Sequence, residues 1–239
     1  MTVSQQTEPQ AALPSRNASL PLQRSGFATI CDALDYAAQG ETGYTFFNLR
    51  GEVAATLSYA DLRQRALTLA GKLASNFTRG DRLAVIAETS PDFIVTFYAC
   101  QYAGLIPAPM PMPVNLGGKD GYINQIRQMI AGAKAAAAIG PDTLREFLDE
   151  AGGAVVYSYD NLHELEDNGA EPQRFGADEY CYIQYSSGST SAPKGVIGLQ
   201  RSVCANLTAI ARDGMGLEPG DRATSWLPLY HDMGLIGFV

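Results

Sequence analysis

A chain of 239 residues with 46% apolar residues is long enough to bury a substantial core as one large domain or two small ones. Its formal net charge of −8, with lysine and arginine scattered singly, argues against nucleic acid as a partner, because a phosphate backbone demands a basic face. No window is apolar enough for a membrane span: the best, Phe93–Val114, is cut by Gln101, Gly104 and four prolines. Residues Met1 to about Ser25 are rich in Gln, Pro and Ser, lack the basic start and apolar run of a secretory leader, and read as a flexible tail before a domain over 26–239. Cys31, Cys100, Cys181 and Cys204 have neither metal-ligand nor disulfide-framework spacing, so they read as buried thiols of a reducing, cytoplasmic compartment.

The first expected element is a helix over Phe27–Ala38, with Ser25 near its start and Gly40 beyond its end. A hairpin follows, Tyr44–Leu49 and Val53–Leu57 around Arg50, Gly51 and Glu52. Ser58 with Asp61 makes a capping entry to a helix ending near Asn76, whose apolar positions Leu62, Ala66, Leu69, Ala70 and Leu73 recur on one face. The pattern then becomes strand (Arg82–Ala87), helix (Pro91–Tyr102, capped by Ser90) and strand (Leu105–Ala108), which implies a parallel crossover. The proline-rich Pro107–Pro113 is expected to leave the ladder as a turn on the sheet's rim.

Helix, strand, helix and strand recur over Tyr122–Ala131, Ala135–Ile139, Leu144–Glu150 and Ala154–Tyr157. Asp160–Asp178 is acidic and reads as a solvated connection. Its carboxylates and His163 lack convergent spacing, so no metal site is read there. A central strand Cys181–Tyr185, a return strand Val196–Leu199, a helix Ser202–Arg212, a turn Glu218–Asp221 and a strand Arg222–Leu227 complete the pattern. The run Gly214-Met215-Gly216 to Gly220 follows a helix and has its last glycine one place late for a dinucleotide fingerprint, so it reads as a helix end and turn.

Between the central and return strands lies the chemistry. In YIQYSSGSTSAPKGVIG, Tyr182–Gly198, Ser186, Ser187, Ser189, Thr190 and Ser191 offer hydroxyl donors, Gly188 lets the backbone approach an anion, Pro193 stiffens the exit and Lys194 brings positive charge. Phosphate is the natural ligand. A Walker A loop would need glycine in place of Pro193 and a hydroxyl residue in place of Gly195, and no serine stands in GxSxG. A second constellation is SWLPLYHDMGLIGFV, Ser225–Val239, where His231 and Asp232 follow an apolar run. His231 reads either as a functional imidazole or as a core histidine satisfying its own hydrogen bonds. Asp232 either orients that ring or caps the helix it begins.

The run Ser186 to Gly195 resembles the phosphate loop of the adenylate-forming, AMP-binding enzymes, Ser191 standing where glycine is usual. Gly80–Pro113 and Leu57–Leu62 are similar to further segments of that family, and WLPLYHDMGLIG resembles its fatty acyl-AMP ligase branch. The resemblance implies an α/β fold of largely parallel sheets flanked by helices, the N-terminal part of an adenylate-forming large domain. It implies ATP-dependent activation of a fatty acid to fatty acyl-AMP, then transfer to an acyl carrier protein or polyketide synthase. Rivals are an acyl-CoA synthetase, an amino-acid-adenylating domain or a non-catalytic binding module. On this resemblance Ser186, Ser187, Gly188, Ser189, Thr190, Ser191, Lys194 and Gly195 bind ATP, with Gly188 and Gly195 giving the loop room to move. Trp226, Tyr230, His231, Asp232, Met233 and Gly234 lie on the acyl side, with His231 and Lys194 the catalytic pair. The ligand of Mg²⁺, the ribose site and the adenylation lysine are expected outside these residues, so the 239-residue chain alone is expected to be inactive.

Overall fold

A computed structural model describes residues 20–113, 118–186 and 193–239. The first helix, α1 (Ile30–Ala37), begins three residues later than expected because Thr29, not Ser25, caps it. The Thr29 hydroxyl accepts the Asp32 N–H while the Asp32 carboxylate accepts the Thr29 N–H, a reciprocal box that satisfies two otherwise orphaned donors. Strands β1 (Gly43–Phe47) and β2 (Val53–Ser58) form the expected antiparallel hairpin.

Helix α2 (Tyr59–Asn76) starts on Ser58, whose side chain accepts the Asp61 N–H, and buries Leu62, Ala66, Leu69, Ala70 and Leu73. That stripe packs on α3 (Pro91–Ala103). Helix α3 is bounded by Ser90 at its start and by Gly104, at φ 70°, after its end. A methyl group on Gly104 would lie 2.1 Å from the Gln173 carbonyl oxygen, so both backbone angle and space demand glycine. Every residue from Phe93 to Ala103 is buried, as expected of a helix covered on all sides.

Strands β3 (Arg82–Ile86), β4 (Ile106–Met110), β5 (Ala137–Gly140) and β6 (Val155–Ser158) form one parallel sheet in the order β4-β3-β5-β6. Helices α3, α4 (Lys119–Ala133) and α5 (Arg145–Ala151) make the crossovers. This is the expected α/β architecture, a parallel sheet flanked by helices. Residues Pro107 to Met110 continue the ladder, contrary to the expected turn. The Ile106 N–H bonds to the Asp81 carbonyl on the β3 side, so alternation points the nitrogens of Pro107 and Pro109 away from β3. An edge strand loses nothing by proline at those positions.

Strand order reverses between β3 and β5, the place where open α/β sheets often bind ligands. Here the Tyr159 hydroxyl, at the head of the short helix α6 (Tyr159–Leu162), donates to the Ile86 carbonyl at the end of β3. The following connection is clasped against α2 instead of lying free in solvent. Asn76 donates to the Glu166 carbonyl at 2.8 Å and Arg79 to that of Gln173 at 3.1 Å, while Phe175 is buried.

Strands β7 (Tyr180–Ser186) and β8 (Lys194–Leu199) pair antiparallel as a separate two-stranded sheet, with β7 packed against β4. A buried amide chain anchors β7. Gln101 of α3 donates to the Cys181 carbonyl at 2.7 Å, and Gln200 donates to Gln101 Oε1 at 2.8 Å and to the Tyr180 carbonyl at 3.0 Å. Gln200 Oε1 in turn accepts the Ile30 N–H, so each amide is matched on both sides. Helix α7 (Gln200–Thr208) continues as a π-helical stretch through Gly214. The expected strand Arg222–Leu227 does not form. Its residues Arg222 to Trp226 are exposed and no ladder partner lies beside them among the described residues. Helix α8 (Asp232–Phe238) closes the chain against the core through Leu235.

Candidate functional site

The β7–β8 pair fixes the two ends of the serine-rich loop. Ser186 and Lys194 are cross-strand partners, and Ser186 Oγ donates to the Lys194 carbonyl at 3.4 Å. Lys194 is exposed at this mouth, with its ammonium available to an anion. Ser187, Gly188, Ser189, Thr190 and Ser191 lie outside the described residues. Gly195 sits in the ladder opposite Tyr185. A methyl group there would come within 2.7 Å of Ile183 Cγ2, so its lack of a side chain serves packing.

The second constellation is a compact turn leading into α8. The His231 N–H bonds to the Pro228 carbonyl, and the His231 carbonyl accepts the Leu235 N–H. Gly234 lets the helix approach, since a methyl group there would lie 2.1 Å from the Pro228 carbonyl oxygen. Asp232 Oδ1 lies 2.5 Å from His231 Nδ1 and accepts the Met233 N–H at 2.7 Å; the helix is capped by His231 with no side-chain cap bond, so of the two readings Asp232 meets the one that orients the ring. That contact makes Nδ1 the donor and leaves Nε2 as the ring's outward nitrogen. The imidazole is 51% exposed, so the reading of a satisfied core histidine does not hold.

Among the other residues expected on the acyl side, Tyr230 is half-buried against the core, whereas Trp226 is 90% exposed. Met233 is also exposed, and Leu235 is buried as an ordinary core position. Tyr182, on the same face of β7 as Gln184, is buried; burial pushes its hydroxyl pKa up, with smaller contributions from Cys181 and the nearby Asp232 carboxylate. The cysteines are free; Cys31, Cys100 and Cys181 are buried and Cys204 half-buried, and burial raises every thiol pKa, which makes them unreactive.

One residue joins the two constellations, and the sequence reading passed over it. Gln184 Nε2 donates to the Tyr230 carbonyl at 2.6 Å, tying the turn before His231 to the strand that enters the loop. Its signal was available: an amide inside the apolar run Tyr182-Ile183-Gln184-Tyr185. A shallow cleft of about 200 Å³, lined by Arg82, Lys134, Tyr185, Gly195 and Ile197, lies on the opposite face of β7 and takes no part in this arrangement. Among the described residues no group of three or more His, Cys, Asp or Glu could hold a metal.

An α/β scaffold thus carries Ser186 and Lys194, the two ends of a hydroxyl-rich sequence, on a hairpin whose first strand also holds an exposed His-Asp turn. The chain belongs to the AMP-binding enzyme family, whose pattern matches residues 34–239. A protein of Caulobacter vibrioides that bears the name acyl-CoA synthetase is 47% identical over 216 residues, 89% of this chain and 38% of that protein. A structure from work on fatty acyl-adenylate ligases of E. coli and L. pneumophila superposes with a TM-score of 0.88 at 41% identity, covering 92% of this chain and 40% of the other. A fatty acyl-adenylate ligase of L. pneumophila, solved with acyl adenylate and pyrophosphate, gives 0.75 at 25% identity over 92% of this chain and 38% of the other. The chain thus spans well under half the length of the relatives it matches.

Proposed function

We propose that these residues are the N-terminal portion of a cytoplasmic fatty acyl-AMP ligase. The whole protein activates a fatty acid with ATP and passes the acyl group to the phosphopantetheine thiol of an acyl carrier protein or polyketide synthase. The observation that carries this reading is that one strand, β7, both opens the loop whose exit is Lys194 and holds the turn bearing His231. Lys194 and the loop hydroxyls stabilise the departing β- and γ-phosphates electrostatically, with no covalent step. His231 Nε2 faces the region where the acyl carboxylate meets the α-phosphate, with Nδ1 committed to Asp232. Trp226, Tyr230, Met233 and Gly234 belong to the acyl side of this site.

Thermal stabilisation of the chain by ATP tests the binding half of the proposal. Wild type is expected to gain stability with ATP, and Lys194→Ala to lose that gain; an equal gain in the variant counts against the loop. No acyl-AMP formation is expected from the 239 residues alone, and its detection by mass spectrometry would overturn that division of labour. The name of the Caulobacter relative favours a second reading, transfer to coenzyme A. Measuring whether the complete enzyme releases acyl-AMP or acyl-CoA decides between the two.

A further inference from the structure

Resting on the reading of the loop above, we propose that Gln184 is a positioning residue. It locks the turn bearing His231 to β7, so that the His231 imidazole is held in register with Ser186 and Lys194 and responds when an anion binds at Lys194.

Three features of the geometry support it. The orientation of the Gln184 amide is fixed, because only its Nε2 can donate to the Tyr230 carbonyl 2.6 Å away. Its Oε1 is buried and finds no donor among the described residues. An apolar side chain of the same length would fill the space without stranding an acceptor, so packing alone does not account for glutamine. Finally, the contact falls where leverage is greatest: Gln184 precedes the loop's first serine by two residues, and Tyr230 immediately precedes His231. The turn itself is tied to α8 by the His231 and Leu235 backbone bonds, so its position relative to the loop is set from β7.

The chain contains two histidines, which makes the test direct. His163 follows α6 in the connection over α2, away from β7, and serves as the internal control. Inorganic pyrophosphate is titrated into the full 239-residue chain while the imidazole Cε1 proton resonances are followed by NMR, with binding heat measured in parallel. In wild type the His231 resonance is expected to move saturably and that of His163 to stay. In Gln184→Met, which keeps length but removes the donor, the His231 response is expected to fall by about fivefold or more. Gln184→Asn, which keeps the amide but is one methylene too short to reach, is expected to behave likewise and carries the test if the methionine variant does not fold. An undiminished His231 response in either folded variant overturns the proposal, as does a wild-type His231 that does not respond. Binding heat without that response sinks the Gln184 linkage alone; no binding heat at all sinks the reading of the loop with it.

Discussion

The parallel sheet and the β7–β8 hairpin are built from similarly apolar strands, yet they end in opposite environments. All of β5 and nearly all of β3 are buried, because each parallel crossover carries a helix that must lie on a sheet face. In the hairpin, Val196 and Ile197 of β8 stay 60% and 49% exposed, because an antiparallel return needs no crossover helix. The difference teaches that crossover topology generates its own cover, whereas a hairpin's second strand has only what packs on it from elsewhere. The proposed phosphate-binding residue Lys194 begins this less covered strand.

The contrast is broken most severely from the covered side. Phe93→Ala, at a fully buried site of α3, is expected to cost about 3–5 kcal/mol, read as a lowered urea midpoint with an unchanged slope. Next comes Asp35, where Arg63 Nε (2.6 Å), the Tyr102 hydroxyl (2.7 Å) and Arg174 (3.0 Å) converge. Burial alone would raise its carboxyl pKa, but the hydrogen bonds from Tyr102 and Arg63, with the arginine charges, outweigh that and hold it lowered. A depressed folded-state pKa gives stability that is full above the ordinary carboxylate range and is lost as pH falls through the lowered value. Asp35→Asn is therefore expected to be less stable by about 1–2 kcal/mol at neutral pH and to show a flatter decline on acidification, measured by thermal melts from pH 7 to 3.

Ser58→Ala removes the cap of α2 and is expected to cost about 1 kcal/mol, whereas Ser58→Thr, which keeps the hydroxyl that donates to Asp61 and accepts its N–H, restores most of it. The smallest effect belongs to the hairpin: Val196→Thr is expected to change stability by less than about 0.5 kcal/mol. A loss as large as that at Phe93 would show that β8 is covered after all.

Much of the covered region was legible because periodicity and caps act locally. Ser58 and Ser90 announced their helices, and the stripe from Leu62 to Leu73 announced a buried face. What the sequence could not show was which neighbour a segment acquires. Pro107 and Pro109 read as ladder breakers because nothing local says that β4 is an edge, with their nitrogens pointing off the sheet. Residues 222–227 have a strand's composition but pair with no strand among the described residues. Trp226, expected on the acyl side, lies exposed on that same segment. Of the site, the residue types were readable and the loop's ends now have a geometry. The Gln184 linkage was hidden because it joins residues 46 apart in sequence.

The prolines of β4 also govern how force and heat divide this molecule. Pro107 and Pro109 offer no N–H outward, and among the described residues no ladder joins β4 to β7, which packs beside it. The boundary is a seam that solvent can open without unzipping either sheet. Amide protons of β7 and β8 are thus expected to exchange as one cooperative block, at lower free energy than those of β3 and β5.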